Sequence, residues 1–269
     1  MSGQQKNHYI HFLVQQLQNR AQPPLPLFRL LNRKKERFEC PICGYQGPFA
    51  DLHGFAGLRK HAECPRCGAL ERHRLQYLAV SALLNKMDTQ KLRMLHVAPE
   101  AFFAKMFSRR FGKYETADLC MRGVNYKADL RSLPFNERTY DVVYASHVLE
   151  HIADDKRAIQ EIWRVLKPNG VAVLPVPVVC EKTIEYLEAN PNEAGHVRAP
   201  GLDYFEKYKE FFEVMIYASD SFLEKYQLFV YEDRTAWPTK ECPLRPPMLG
   251  SKHLDFVPIC FKRRPDWTD

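Results

Sequence analysis

The sequence predicts an α/β fold: a doubly wound parallel sheet with a small cysteine-bearing module ahead of it. Three observations carry this. They are a strand–helix–strand pattern over residues 140–179, two Cys-Pro-x-Cys-Gly turns separated by nineteen residues, and a positive charge excess confined to the first third of the chain. The first pattern is the clearest. Residues 141–145, DVVYA, form a short apolar run of the kind that makes a strand buried on both faces. Asp154 or Asp155 offers a helix N-cap, and Ala158, Ile159, Ile162, Trp163, Val165 and Leu166 then fall on one apolar stripe at helical spacing. Pro168-Asn169-Gly170 ends that helix, and residues 171–179 read as a second buried strand. Strand, right-handed crossover helix and strand make one unit of a parallel sheet.

The second observation is Cys40-Pro-Ile-Cys43-Gly followed by Cys64-Pro-Arg-Cys67-Gly. In each, proline and glycine shape a tight turn that aims two thiolates at one ion and leaves backbone N–H groups to bond the sulfurs. Two such turns complete a tetrahedral four-cysteine site and resemble the knuckles of a zinc ribbon. Four thiolates leave no open coordination position. The expected role of a zinc ion on Cys40, Cys43, Cys64 and Cys67 is therefore structural, holding together a segment too small to fold by itself. Rubredoxin-like iron and a redox dithiol are other readings of the same spacing. Cys120, Cys180, Cys242 and Cys260 are scattered and read as small buried hydrophobes.

The third observation is charge. Residues 1–91 hold 14 Lys/Arg against 6 Asp/Glu, whereas the whole chain of 269 residues has a net charge of only +7. A basic front module suggests an anionic partner such as RNA or a phosphorylated substrate; ordinary solvated surface charge is the competing explanation. Arg33-Lys34-Lys35-Glu36-Arg37 is the densest stretch of it. With 45% hydrophobic residues the chain can bury one sizeable core and an accessory module. No apolar run approaches the ~20 residues that span a membrane, and the start MSGQQKN does not read as a signal peptide. Paired cysteines spaced for metal fit a reducing compartment, so a cytoplasmic location is expected.

Along the chain, residues 8–19 read as a short amphipathic helix broken by the prolines at 23, 24 and 26. Residues 71–87 read as a helix with Leu75, Leu78, Ala79, Leu83 and Leu84 on its buried stripe. Strands are expected over 91–98, 113–119 and 126–130, a helix over 182–189, and a helix opening at Asp203-Tyr204. Further strands are expected over 212–217 and 253–261, while residues 232–252 are Pro-rich and give no pattern.

The pattern D-V-V-x-x-x-H-V-L-E-H from Asp141, with a helix ending R-V-L-K-P-N-G at Gly170, resembles class I S-adenosylmethionine-dependent methyltransferases of type 11. There it spans the fourth strand, fourth helix and fifth strand. The resemblance implies a seven-stranded Rossmann-like sheet over residues 71–269, behind an extension over 1–37 and a zinc ribbon over 38–70. It implies S-adenosylmethionine as cofactor. Asp118 would bind the ribose hydroxyls, Asp129 the adenine amino group with Leu130 stacking nearby, and Ser146 would lie close to the sulfonium. His96, Ala98 and Glu100 occupy the place of the family's glycine loop, which here contains no glycine. Arg72 or Arg74 would suit the cofactor carboxylate, and their competing reading is a basic helix surface.

His147 is the candidate general base, since an imidazole with an ordinary pKa of ~6.5 can take a proton near neutrality. His196, Arg198 and Tyr204 fall where the family places the acceptor pocket. The expected acceptor is the oxygen or nitrogen of a small molecule or glycan. RNA docked by the basic module is the alternative, and a non-catalytic binding protein on the same fold is a second. A nicotinamide dehydrogenase would need the missing G-x-G-x-x-G. Oligomeric state is not legible in the sequence.

Overall fold

The computed structural model describes residues 23–262 apart from 55–56 and 241; the helix expected over 8–19 lies outside them. The helices are α1 (Leu25–Leu31), α2 (Glu71–Leu84), α3 (Ala101–Arg110), α4 (Asp155–Val165) and α5 (Glu206–Lys209). The first strands are β1 (Phe38–Glu39), β2 (Gln46–Gly47), β3 (Ala50–Gly54) and β4 (Gly57–Glu63). Then come β5 (Arg93–Val97), β6 (Lys113–Asp118), β7 (Tyr126–Lys127), β8 (Tyr140–Ala145) and β9 (Leu166–Val173). They are followed by β10 (Ile184–Asn190), β11 (His196–Ala199), β12 (Glu213–Ala218), β13 (Val230–Glu232), β14 (Lys252–His253) and β15 (Phe256–Phe261).

Two compact units emerge. The first holds the described residues up to Tyr77 together with Glu188–His196 and Ser219–Asp255; the second holds Leu78–Leu187, Val197–Ala218 and the described residues from Phe256 to Lys262. These limits differ from the expected boundaries after residues 37 and 70. The reason is that strands far along the chain join the cysteine module: its four-stranded sheet runs β14-β13-β4-β3. Its other sheet is the β1–β2 hairpin, which closes the first cysteine turn.

The second unit is a mixed seven-stranded sheet of order β12-β15-β9-β8-β5-β6-β7. β5 pairs in parallel with β6 and β8, β6 with β7, and β8 with β9. β15 runs antiparallel to both β9 and β12. The winding direction reverses between β5 and β8, which makes their carboxyl ends a topological switch point.

The expected strand–helix–strand unit is present as β8, α4 and β9. α4 starts on Asp154, whose side chain accepts from the Arg157 N–H at 3.1 Å. Ala158, Ile159, Ile162 and Val165 are fully buried on one stripe. They join Leu95, Val143 and Leu174 in the core, where each large aliphatic side chain contributes roughly 1.5–3 kcal/mol. Trp163 departs from the expected stripe and is 38% exposed, with the Lys262 ammonium 3.9 Å from its ring centroid. β9 begins at Leu166, so Pro168-Asn169-Gly170 lies inside the strand, where Asn169 takes a left-handed conformation.

Other elements differ from expectation. The helix expected over 182–189 is strand β10 instead, because the burial along it alternates between half-buried Ile184 and Tyr186 and exposed Glu185 and Leu187. The prolines near residue 24 start α1, with Pro24 as its N-cap. The third strand is only Tyr126–Lys127, with Asp129 held separately in a bridge to Ser132. β13 and β14 reach only the two ends of the stretch that carried no sequence pattern, at Glu232 and Lys252.

Candidate functional site

Two sites stand out, one in each unit. In the first, Cys40 and Cys64 are buried and Cys43 and Cys67 half-buried. Their sulfurs all lie within 4.8 Å of one another. Cys40 Sγ is 3.7 Å from Cys67 Sγ, and Cys43 Sγ is 3.6 Å from Cys64 Sγ. A tetrahedron of sulfurs around zinc, with Zn–S of ~2.3 Å, has edges of about 3.8 Å, whereas a disulfide would need about 2.05 Å.

The two turns are copies of each other. Gly44 and Gly68 donate their N–H groups to the carbonyls of Cys40 and Cys64, each at 2.8 Å. Both glycines take left-handed conformations, at φ 69° and 74°, which a residue with a Cβ rarely adopts. A dication suits all four as thiolates at once, so the donor set fits a metal.

The second site lies at the carboxyl edge of the parallel strands, where β5 and β8 end side by side with Val97 opposite Ala145. Just past each strand a non-glycine residue takes a left-handed conformation: Ala98, immediately after β5, at φ 48° and His147, two residues beyond β8, at φ 53°. Such backbone costs an L-residue about 1–2 kcal/mol and clusters at ligand sites. Ala98 thus supplies the conformation that a glycine loop would. Its N–H donates to the Ala117 carbonyl at 2.9 Å, and the His147 N–H donates to that of Pro175 at 2.9 Å. His147 Nδ1 stands 3.3 Å from Oε1 of the buried Glu150.

Asp118 ends β6 at the same edge. Its Oδ1 accepts from the Cys120 and Met121 N–H groups at 2.7 and 2.6 Å, while Oδ2 has no hydrogen-bond partner among the described residues. Asp129 is half-buried and pairs with Arg131 at 2.6 Å; that guanidinium holds its carboxyl below the usual range. Glu100 is the half-buried N-cap of α3, and Ser146 is 5% exposed. Asp141, at the opposite end of β8, is structural as expected: its Oδ2 accepts from the Arg93 N–H at 2.8 Å and the Lys167 ammonium at 2.7 Å.

Six expected placements differ in the structure. His96 is fully buried among the rings of Phe107, Tyr114 and Tyr144, with Nδ1 2.9 Å from the Tyr114 hydroxyl. Strand alternation turns its imidazole into the core, away from any ligand, and burial pushes its pKa down to about 3. Leu130 is likewise packed in the core.

Arg198 is 2% exposed. Its guanidinium donates to the carbonyls of Leu149, Ile152 and Ala153 at 2.6, 2.7 and 3.0 Å and pairs with Glu185 at 2.9 Å. It clamps the turn after His147 and has no free face for an acceptor. Tyr204 is fully buried and donates to Asp155 Oδ2 at 2.7 Å; burial and the Asp155 charge push its phenol well above the ordinary value. His196 belongs to the first unit, with Nδ1 4.0 Å from Glu193 Oε2. Arg74, read above as a cofactor ligand, is fully buried and bonded to backbone carbonyls.

Sequence reasoning missed Leu119, which follows Asp118 and is 61% exposed, an apolar surface at the strand edge. The available signal was an apolar residue just beyond an acidic strand end.

Residues 92–174 match the family model described as a methyltransferase domain. The chain therefore carries a class I S-adenosylmethionine-methyltransferase-like domain. It is 34% identical over 80 residues to sterol 4-C-methyltransferase strm-1 of Caenorhabditis elegans, across 30% of this chain and 22% of that one. It is 48% identical over 50 residues to the mitochondrial arginine-hydroxylase NDUFAF5 of Mus musculus, across 19% and 15%. A solved S-adenosylmethionine-dependent methyltransferase from Mesorhizobium loti is similar with a TM-score of 0.47 at 16% identity, covering 70% of this chain and 98% of that chain. The matched stretch spans about a fifth or less of these two curated relatives' length.

Proposed function

We propose that this protein is an S-adenosylmethionine-dependent methyltransferase acting on an oxygen or nitrogen of a small-molecule or glycan acceptor. The observation that carries the reading is the convergence of Ala98, Asp118 and His147 on the carboxyl edge of the sheet at its switch point. S-adenosylmethionine, when bound there, supplies an electrophilic methyl group. Asp118 Oδ2 is the acceptor for the ribose hydroxyls, and Leu119 offers apolar surface to the adenine, with Asp129 and Arg131 next to it. Glu100 and Ser146 border the remaining edge. His147 takes the proton released by the acceptor, and the Glu150 carboxylate steadies the ring through Nδ1. Alignment and exclusion of water do the rest, without a covalent residue.

The four cysteines hold a structural zinc ion in this reading, making the first unit a zinc-ribbon module placed in the cytoplasm with the rest of the chain. RNA is the second reading of the acceptor. It is favoured by Arg33, Lys34 and Arg37, which are exposed and form no ion pair among the described residues. Transfer of labelled methyl groups into an extract of cells lacking the protein, with products split by nuclease and by size, tests both. Label in a small, nuclease-resistant fraction supports the first reading. Label lost from the large fraction on nuclease treatment overturns it in favour of RNA, and no label anywhere sinks methyl transfer.

A further inference from the structure

Arg74 sits in α2, seven residues after Cys67, and is fully buried. Its guanidinium donates to the carbonyls of Ala62 and Ala69, at 2.9 and 2.7 Å, on either side of the second cysteine turn. The same group donates to the carbonyl of Tyr226 at 3.0 Å and to that of Gln227 at 3.1 and 2.6 Å. It lies 4.4 Å over the ring of Phe49. One cation thus ties the cysteine turn to a segment some 150 residues later in the chain.

A fully buried guanidinium is costly unless an anion faces it. Burial works against the charge of Arg74, and the groups that work for it are Glu71 and then the cysteine sulfurs. Glu71 is already engaged, accepting from Arg59 at 2.8 Å. Four thiolates around one divalent ion carry a permanent net negative charge, which a set of protonated thiols lacks. A metal-loaded centre would thus add to Glu71 as negative charge facing the buried guanidinium.

Other contacts share in holding the distal segment, which buries Leu228, Phe229, Val230, Trp237 and Cys242. Gln227 Nε2 donates to the His61 carbonyl at 2.9 Å. Lys225 pairs with Glu39 at 2.8 Å, but both ends are partly exposed, which makes the pair weak. β13 meets β4 through Tyr231 opposite Lys60 and Glu232 opposite Arg59.

We propose that metal binding at the four cysteines, acting through Arg74, seats residues 219–255 on the cysteine module. The segment is ordered while the ion is bound and loosened when it leaves. The inference rests on the reading of the cysteines as a metal site and is independent of methyl transfer.

Hydrogen exchange on the full chain tests it. The bound metal is counted by plasma mass spectrometry, and exchange is followed before and after chelation. Removing zinc is expected to speed exchange at least tenfold over 224–232 and 252–253, and to leave 93–97 and 140–145 unchanged. Arg74→Met is expected to speed exchange in the same segment with zinc still bound, and Arg74→Lys, which keeps the charge without the planar fork, to fall between. Where Arg74→Met does not fold, the chelation of wild-type protein decides alone. A purified chain without stoichiometric metal overturns the metal reading and the proposal with it. Zinc that leaves while exchange over 224–232 stays at its wild-type rate overturns the coupling but not the site.

Discussion

His96 makes acid stability a direct test of the core. Its imidazole is fully buried, and burial lowers its pKa from 6.5 to about 3, against a smaller opposing pull from Glu100. The folded chain therefore keeps His96 neutral over a range in which the unfolded chain protonates it. That contribution to stability is intact above pH 6.5, the unfolded value, and is lost progressively as the pH falls from there towards 3. With each pKa unit worth ~1.36 kcal/mol, the loss is about 2 kcal/mol at pH 5 and negligible at pH 8. His96→Phe and His96→Gln remove the titration. His96→Phe also strands the Tyr114 hydroxyl and His96→Gln buries an amide among aromatic rings, so each is less stable than wild type at pH 8. The informative quantity is the change in that difference. Urea unfolding at pH 8, 6.5 and 5 is expected to show the gap between wild type and either variant moving by about 2 kcal/mol in the variant's favour. Curves that stay parallel across the three pH values would refute the burial of a neutral imidazole here.

Four further outcomes follow from the same geometry. Arg198→Ala leaves Asp155 short of a partner and removes the guanidinium's hydrogen bonds to three carbonyls, and urea unfolding should show a loss of about 3–5 kcal/mol; a variant of normal stability with impaired acceptor binding would instead restore Arg198 as an acceptor ligand. Ala98→Gly relieves about 1–2 kcal/mol of left-handed strain and returns about 0.5–1 kcal/mol through chain entropy, so unfolding should show a gain of up to about 1.5 kcal/mol. Asp118→Ala should weaken S-adenosylmethionine binding by calorimetry at least tenfold while the circular dichroism spectrum is unchanged. Cys43→Ser should lower the zinc content measured by plasma mass spectrometry, since a hydroxyl is a poor substitute for a thiolate.

Much of the fold was legible because its signals are local. The apolar run 141–145 and the stripe at Ala158, Ile159, Ile162 and Val165 each state their period within one short window, and β8 and α4 follow them. The two cysteine turns were equally plain, since the spacing inside each pair is itself the geometry. What escaped depends on partners distant in the chain. A histidine, an arginine and a tyrosine beside a candidate pocket look alike in sequence whether they face a ligand or the core. Only tertiary structure shows that His96 belongs to an aromatic cluster and that Arg198 is spent on the turn at residues 149–153. The composition of the first unit was hidden for a related reason: β13 and β14 are three and two residues long, too short to state a period.

The missing glycine loop is the most instructive case, because its absence in sequence was not an absence in structure. A glycine loop does two things: it permits a left-handed turn, and it removes side chains from the approach to the ligand. Ala98 does the first outright, at a cost in strain, and does the second nearly as well, since its side chain is a single methyl group. His147, in a like conformation beyond β8, shows that strain at this edge is not confined to one loop. Two strained residues on adjacent strands of one sheet edge are hard to account for by packing alone, since a glycine or a relaxed turn would have been more stable at either. They are what an edge shaped for a ligand would retain, and Ala98→Gly separates the two demands: it should raise stability whether or not it changes S-adenosylmethionine affinity.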